Sequence, residues 1–501
     1  MNRTVKGIIA GCGALVVLGG GLAVLELTKP TGTEESSAPA DNCVELWNVE
    51  SDDISKIIVK HPDGETYTVN RKMEQVEDTD MDGNTYMKDV ANYYLEGYEK
   101  LPMNTVTIRT LATRNAYLST SDTVQTDTPE SDLAKYGLDK PIEVTMKVDG
   151  SDDICFLLGN NAPNGSQTYF CTADDKKTVY VVALNNAEPY QYDMLFYLGT
   201  QVTEEQADDD ERIVEQVRVE RKDLDYDFVF KYDDAYHLTA TGGSSAVHIM
   251  EEPVRCLLNA EKSADATHGL FGLTAVEVLT PFPTEEDMAK AGLDDPFVRV
   301  TMNLDDGTEA VFRMGNTYEA QLDGGLTETR YYAYYDGIEC IYGFSPDGVI
   351  YDDMKPEDLT SKMIVETYVW DIGRLTYTAG DLTLDFKGSG SSDDDYVVTL
   401  NGETTETERF RVLYTYLLKA AAEDLVLEDV TPPAQPMAAV RLERQDGKRT
   451  YDFKFYDAGG MKAYIAVDDE IVFKCRKSYV ETLITNMKMY DETDKDFIMT
   501  W

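Results

Sequence analysis

Short runs in which apolar and polar residues alternate recur along the chain. Tyr226, Phe228 and Phe230 stand two residues apart, with polar Asp227 and Lys231 beside them, which is the period of a strand with one buried face. Such runs, paired across short turns, predict hairpins, and short turns favour antiparallel pairing. The predicted hairpins are residues 54–60 with 66–70, 217–221 with 226–232, and 374–378 with 382–386.

Helical spacing follows each predicted hairpin. Val90, Tyr94, Tyr98 and Leu101 are spaced as on one face of a helix. Residues 254–258 and 410–418 occupy the matching places after the second and third hairpins. The pattern therefore predicts an α+β fold with mainly antiparallel sheets.

The chain repeats itself. Residues 133–141 read LAKYGLDKP and residues 288–296 read MAKAGLDDP. Each segment precedes a VTM strand, an acidic turn that ends in Gly150 or Gly307, and a further strand that closes on Gly-Asn. A fainter third copy lacks the GLD triplet, but Pro436 to Gly447 spans eleven residues, as Pro296 to Gly307 does.

These repeats divide the chain into tandem units. A length of 501 residues predicts about three domains. We expect unit 1 over residues 45–210, unit 2 over 211–365 and a divergent unit 3 over 366–501, preceded by a flexible linker over 29–44 and an N-terminal segment over 1–28. The boundaries lie near the acidic residues 208–210 and near Val365.

The N-terminal segment predicts a single transmembrane helix. Residues 7–25 are apolar and follow Arg3 and Lys6, so this end is expected in the cytoplasm and the bulk of the chain outside the cell membrane. A cleaved signal peptide is an alternative, because residues 38–40 read APA. A lipoprotein is another, because residues 9–12 resemble a lipobox.

The composition restricts the partners. The formal net charge of −48 repels nucleic acid and anionic lipid headgroups. The seven cysteines are isolated, which excludes a zinc site of C-x-x-C spacing. We expect mostly free, buried thiols, with Cys155 and Cys171 the best candidate for a bridge across a hairpin. The four histidines, His61, His237, His248 and His268, are scattered and predict no site.

One segment has the spacing of a calcium loop. Counting Asp78 as position 1, Asp80, Asp82 and Asp89 fall at positions 3, 5 and 12, and Gly83 falls at position 6. Calcium is therefore the one cofactor to consider, with these four aspartates as metal ligands. The alternative is a solvated acidic turn before a helix, with Asp89 near the N-terminus of that helix.

The anchor and the tandem GLD-x-P units resemble the bacterial domain of unknown function 4340 family. The residues that carry the resemblance are Gly137, Leu138 and Asp139 with Pro141, and the same triplet at 292–294 with Pro296. The resemblance implies a companion of ABC transporters of the gliding-motility type. It implies no catalytic residues.

We therefore expect a non-enzymatic accessory or scaffold protein of the cell envelope, with ABC transporter subunits or other envelope proteins as partners. One alternative is a glycan-, peptide- or calcium-binding module. The tyrosine-rich residues 331–335 would be its sugar-stacking surface, although packing within a strand explains them as well. A second alternative is an envelope hydrolase with a carboxylate pair.

The predicted orientation can be tested by proteolysis. Protease added to intact spheroplasts is expected to digest the chain beyond Thr28, because Arg3 and Lys6 keep the N-terminus inside. Immunoblots against an N-terminal and a C-terminal tag report the result. Full protection of the C-terminal tag would contradict this orientation.

Overall fold

The computed structural model describes residues 44–79, 84–233, 245–419 and 421–501. The apolar residues 7–25 lie outside these ranges. Among the described residues, no helix combines the length and the apolar character needed to cross a membrane. The chain divides into two compact units. Val59–Gly64 and Ala112–Gln191 belong to the first, and Glu65–Leu111 and Tyr192–Trp501 belong to the second.

The strands are short and numerous, and the helices are few. The strands up to residue 183 are β1 (Glu45–Asn48), β2 (Ile54–Lys60), β3 (Thr66–Thr79), β4 (Thr85–Leu95), β5 (Tyr117–Ser119), β6 (Asp122–Gln125), β7 (Ile142–Val148), β8 (Ile154–Asn161), β9 (Gln167–Thr172) and β10 (Val179–Ala183). The next group is β11 (Val214–Arg221), β12 (Phe228–Tyr232), β13 (Ser245–Glu252), β14 (Cys256–Asn259), β15 (Glu277–Pro281), β16 (Val298–Leu304), β17 (Glu309–Gln321), β18 (Thr327–Tyr335) and β19 (Cys340–Phe344).

The last group of strands is β20 (Ile372–Ala379), β21 (Leu382–Ser389), β22 (Val397–Leu400), β23 (Glu403–Thr404), β24 (Asp424–Leu425), β25 (Ala438–Arg444), β26 (Thr450–Asp457), β27 (Lys462–Val467) and β28 (Glu470–Arg476). The α-helices are α1 (Thr105–Thr113), α2 (Leu184–Ala187), α3 (Ala260–His268), α4 (Glu285–Ala291), α5 (Pro356–Leu359), α6 (Thr407–Leu417) and α7 (Lys477–Lys488).

Three large sheets have one strand order. The first is β4-β3-β2-β7-β8-β9-β10-β6. The second is β14-β13-β12-β11-β16-β17-β18-β19-β15, and the third is β23-β22-β21-β20-β25-β26-β27-β28-β24. The second and third sheets therefore have the same order as the first, with one extra edge strand, β14 or β23. The ladders are antiparallel, as between β16 and β17 or β25 and β26. This confirms the α+β class with antiparallel sheets, and each sheet lies within one of the ranges 45–210, 211–365 and 366–501.

Each sheet buries one face because its strands alternate. In β16, Val298, Val300 and Met302 are buried while the residues between them are partly or fully exposed. Phe228 and Phe230 of β12 are fully buried as expected, but Val229 between them is buried too, so buried and exposed positions do not alternate at this point. In each of the three repeats, a helix follows the outermost strands of the hairpin side: α1, α3 and α6.

Two of the three predicted helices were wrong. Residues 90–101 do not form a helix, because Thr85–Leu95 is strand β4 and pairs with β3 from Val69↔Leu95 to Thr79↔Thr85. Residues 254–258 lead into strand β14, and helix α3 begins afterwards. Only the third prediction, 410–418, coincides with a helix, α6. Apolar residues four apart share a face in a helix and in a strand, so this spacing did not distinguish the two.

The GLD motif ends a helical turn with a left-handed residue. Gly292 follows α4 with a φ of 69°, and Gly137 follows the 3₁₀ turn Glu130–Tyr136 with a φ of 72°. Glycine adopts this conformation without steric cost. The leucine that follows each glycine, Leu138 or Leu293, is buried in a small core against its own sheet.

This turn packs against the Gly-Asn pair of a neighbouring strand, which is 159–160 in the first sheet and 315–316 in the second. A Cβ on Gly315 would lie 2.0 Å from the carbonyl oxygen of Ala291, and one on Gly159 would lie 2.1 Å from that of Tyr136. In the second sheet, Asn316 also donates its side-chain amide to the carbonyl of Lys290 at 3.0 Å. The ladder is irregular at this point in both strands. The repeated motifs are therefore two halves of one close contact.

The third sheet replaces this contact. Ala438 pairs with Phe455 as Val298 pairs with Met314, so Tyr456 occupies the place of Gly315. Tyr456 is buried against Val426 and Ile471. A large side chain thus fills the space that the helical turn fills in the other two sheets, which explains why the third copy has no GLD triplet.

Replacing Gly315 with alanine tests the close contact. The added Cβ has no room beside the Ala291 carbonyl, so the free energy of unfolding is expected to fall by about 3 kcal/mol. Urea denaturation of the full chain, with hydrogen exchange to locate the loss in β17 and its neighbours, measures the effect. Gly348→Ala is the control, because no heavy atom lies within 4 Å of its Cβ position. Equal denaturation midpoints for the two variants would refute the contact.

Candidate functional site

The structure separates the two described residues of the predicted calcium loop. Asp78 pairs with Tyr86, and Asp89 pairs with Gln75. Because strand side chains alternate and cross-strand partners share a face, Asp78 and Asp89 point to opposite faces of the hairpin. Asp80 and Asp82 lie outside the described residues, so the calcium site itself stays a prediction. The helix expected after the loop is strand β4 instead.

The Asp78 face of this hairpin is a polar network. Glu74 accepts hydrogen bonds from Asn92 at 2.6 Å and Tyr94 at 3.0 Å and pairs with Lys72 at 2.6 Å. Lys72 and then these amide and hydroxyl donors lower the pKa of Glu74 to about 2. Further out, the Tyr86 hydroxyl bonds Asp78 at 3.2 Å. The carboxylates on this face are therefore satisfied by neighbours on the hairpin.

A cleft of about 630 Å³ lies in the second compact unit and is lined by four aspartates. Asp352 and Asp353 are consecutive, while Asp265 and Asp347 come from other segments. Burial, and then the charge of Asp353, raise the pKa of Asp352. The buried Tyr351 hydroxyl donates to the backbone carbonyl of Asp265 at 3.2 Å. The cleft presents mainly hydrogen-bond acceptors, which suit a cationic ligand.

The second sheet also carries a partly buried ion network. Arg330 donates to Glu277 at 2.7 Å and to Glu328 at 2.6 Å. The Tyr318 hydroxyl donates to Glu277 at 2.6 Å, and burial followed by this bond raises the pKa of Tyr318. These charges are neutralised by one another, so the network holds β15, β17 and β18 together.

Tyr332 and Tyr334 pack against Leu293 and Ile341 beside the same sheet. The tyrosine run 331–335 forms part of strand β18, as predicted. These two contacts support the interpretation of the run as packing.

Two histidines that are scattered in the sequence meet in the fold. The rings of His248 on β13 and His268 at the end of α3 lie 5.3 Å apart in an edge-to-face arrangement. Nε2 of the buried His248 lies 2.6 Å from the carbonyl oxygen of Val214. Burial lowers the pKa of His268 and lowers the pKa of His248 to about 4. Their separation by twenty positions in the sequence gave no signal of this contact.

The described cysteines are free. Cys171, Cys256, Cys340 and Cys475 are buried, and Cys155 is half-buried. The candidate bridge is wrong because Cys171 pairs with Leu157, two residues from Cys155. Among the described residues, no cluster of three or more His, Cys, Asp and Glu side chains is placed to hold a metal ion.

A family model described as a domain of unknown function, DUF4340, matches residues 94–296. The matched segment contains both GLD-x-P motifs, so the resemblance that these motifs predicted is confirmed over this part of the chain. Comparison with curated proteins and with solved structures returned no match.

The histidine pair predicts a loss of stability in acid. An unfolded histidine has a pKa near 6.5, whereas that of His248 is about 4. Between these values the unfolded state binds a proton that the folded state excludes, so stability falls as the pH falls, by up to about 1.4 kcal/mol per pH unit for each such proton. Chemical denaturation between pH 7 and pH 4 measures this slope.

Replacing His248 with glutamine provides the comparison. Glutamine can still donate to the Val214 carbonyl but does not titrate, so the slope is expected to become shallower. Identical slopes for His248→Gln and the native chain would contradict the assignment.

Proposed function

Since residues 94–296 carry the DUF4340 match, we propose that this chain is a membrane-anchored, extracytoplasmic scaffold or accessory protein without an enzymatic activity of its own. The observation that carries the proposal is the threefold repetition of one strand order. Tandem repeats present similar surfaces side by side, and proteins built in this way commonly bind partners over extended surfaces. The N-terminal residues 7–25 supply the anchor.

The proposed partners are subunits of an ABC-type transporter. This assignment rests on the family resemblance and on the predicted location of the chain at the membrane. The charge of −48 supports a protein partner with a basic surface rather than nucleic acid or anionic lipid.

The alternative function that a specific observation favours is a module that binds a small cationic ligand. The cleft beside Tyr351 brings Asp265, Asp347, Asp352 and Asp353 to one surface. A hydrolase would need two of these carboxylates to act as an acid and a base or nucleophile on one bond. Such chemistry would use the raised pKa of Asp352. Substitution of this residue distinguishes a function of the cleft from the scaffold function.

Co-purification tests the scaffold proposal. The full chain, carrying an affinity tag and solubilised in mild detergent, is expected to enrich transporter subunits at least about tenfold over a tagged control that ends at residue 44. The control keeps the predicted anchor and lacks all three sheets. Quantitative mass spectrometry gives the ratio.

The Asp352→Asn variant tests the alternative in which the acidic cleft carries the function. A scaffold should retain its partners in this variant, since the cleft is not needed for them. Purification of the full chain without any stoichiometric membrane partner would overturn the proposal.

A further inference from the structure

The hairpin of β3 and β4 extends the core face of its sheet into solvent. Tyr93 and Leu95 are buried at its base. Met87 and Met73, which pairs with Ala91, lie further out on the same face because side chains alternate along each strand. Met73 is 47% exposed and Met87 is 57% exposed. An apolar face therefore continues beyond the part of the sheet that is covered.

Arg71 lies on this face near its base, opposite Tyr93, and the outer part of the face beyond it carries negative charge. Glu77 pairs with Met87, and Asp89 pairs with Gln75, so both acids flank the methionines. Both acids are exposed, and neither forms an ion pair or hydrogen bond with another described residue. On the opposite face, Lys72 lies 2.6 Å from Glu74, and Lys88 lies 4.0 Å from Asp78. The two faces of one hairpin thus differ in charge.

The edge strand of the hairpin is also longer than the edge strands at the same end of the other two large sheets. β4 is the outermost strand of its sheet, whereas its equivalents β13 and β22 are followed by β14 and β23. The outer edge of a sheet strand presents backbone donors and acceptors to an added strand. Of the three large sheets among the described residues, the first alone ends on a strand of this length.

We propose that the face formed by Met73, Glu77, Met87 and Asp89, together with the β4 edge, binds a basic amphipathic segment of a partner protein. Exposed methionines adapt to apolar side chains of different shapes, and the two acids select lysine or arginine beside them. A second copy of this chain would bring the same acids to the contact, and an anionic lipid surface would be repelled by them. The inference rests on the proposed scaffold function, for which it names the docking surface.

Binding of synthetic peptides to the full chain tests this surface. The probes are two labelled ten-residue peptides, one alternating lysine with leucine and one alternating glutamate with leucine. The chain is reconstituted in phosphatidylcholine nanodiscs, and empty nanodiscs give the blank. Fluorescence anisotropy is expected to show binding of the lysine peptide and none of the glutamate peptide.

Two double variants and two controls locate the site. Met73→Ser with Met87→Ser, and Glu77→Gln with Asp89→Asn, are each expected to weaken binding at least about tenfold. Asp208→Asn with Asp209→Asn removes the same charge from an exposed segment of the chain. Met461→Ser removes a methionine that is 85% exposed. Both controls should stay within about twofold of the native affinity.

The inference is overturned if the two acid-removing variants weaken binding equally, or if both peptides bind alike. It is also overturned if the methionine variant leaves peptide binding unchanged but dissolves a dimer in analytical ultracentrifugation, which would assign the face to a second copy. If the hairpin variants lose peptide binding but no transporter subunit co-purifies with the native chain, this binding surface is supported and the scaffold proposal is refuted. If transporter subunits co-purify with the chain but the lysine peptide does not bind, the scaffold proposal stands and this surface is refuted.

Discussion

A backbone carbonyl rests against a glycine at the same place in two of the three sheets, and much of the repeat depends on this contact. The turn that ends at Gly292 approaches Gly315 so closely that no Cβ fits between them. The left-handed glycine directs Leu293 into the core beside Ile341. Because both halves of the contact require glycine, the two motifs must be kept together at a fixed spacing. The third sheet does not require glycine at this place, because the side chain of Tyr456 fills the gap.

The acidic turns have a structural explanation as well. Asp175 accepts a hydrogen bond from the backbone N–H of Lys177 at 3.0 Å, and Asp306 does the same with Thr308 at 2.8 Å. A short carboxylate that bonds the backbone two residues later stabilises a tight turn. Part of the large negative charge is thus a consequence of many hairpins. The charge that remains unpaired, such as that of Glu77, is where a partner can be selected.

The charged groups of the described residues differ in how far they neutralise one another. The ion network around Arg330 neutralises itself. His248 is buried and His268 is half-buried, and the lowered pKa of each favours the neutral imidazole at physiological pH. Acidic side chains also face solvent in the acidic cleft and on the outer face of the β3–β4 hairpin. These two places differ in shape, since the cleft suits a small ligand and the hairpin suits an extended segment. A scaffold that binds proteins would use the second.

The sequence by itself determined the repeated hairpins, the antiparallel α+β class and the resemblance to DUF4340 over residues 94–296, because alternation and the GLD-x-P motif are local and direct signals. It did not determine that residues 85–95 form a strand, since the spacing of Val90 and Tyr94 fits a helix equally well and only pairing with β3 selects the strand. The same pairing sends Asp78 and Asp89 to opposite faces, although their spacing resembles that of a calcium loop. Tertiary structure alone brought His248 to His268 and Asp265 to Asp352, because contacts between distant residues depend on how the sheets and helices pack and leave no periodic trace in the chain.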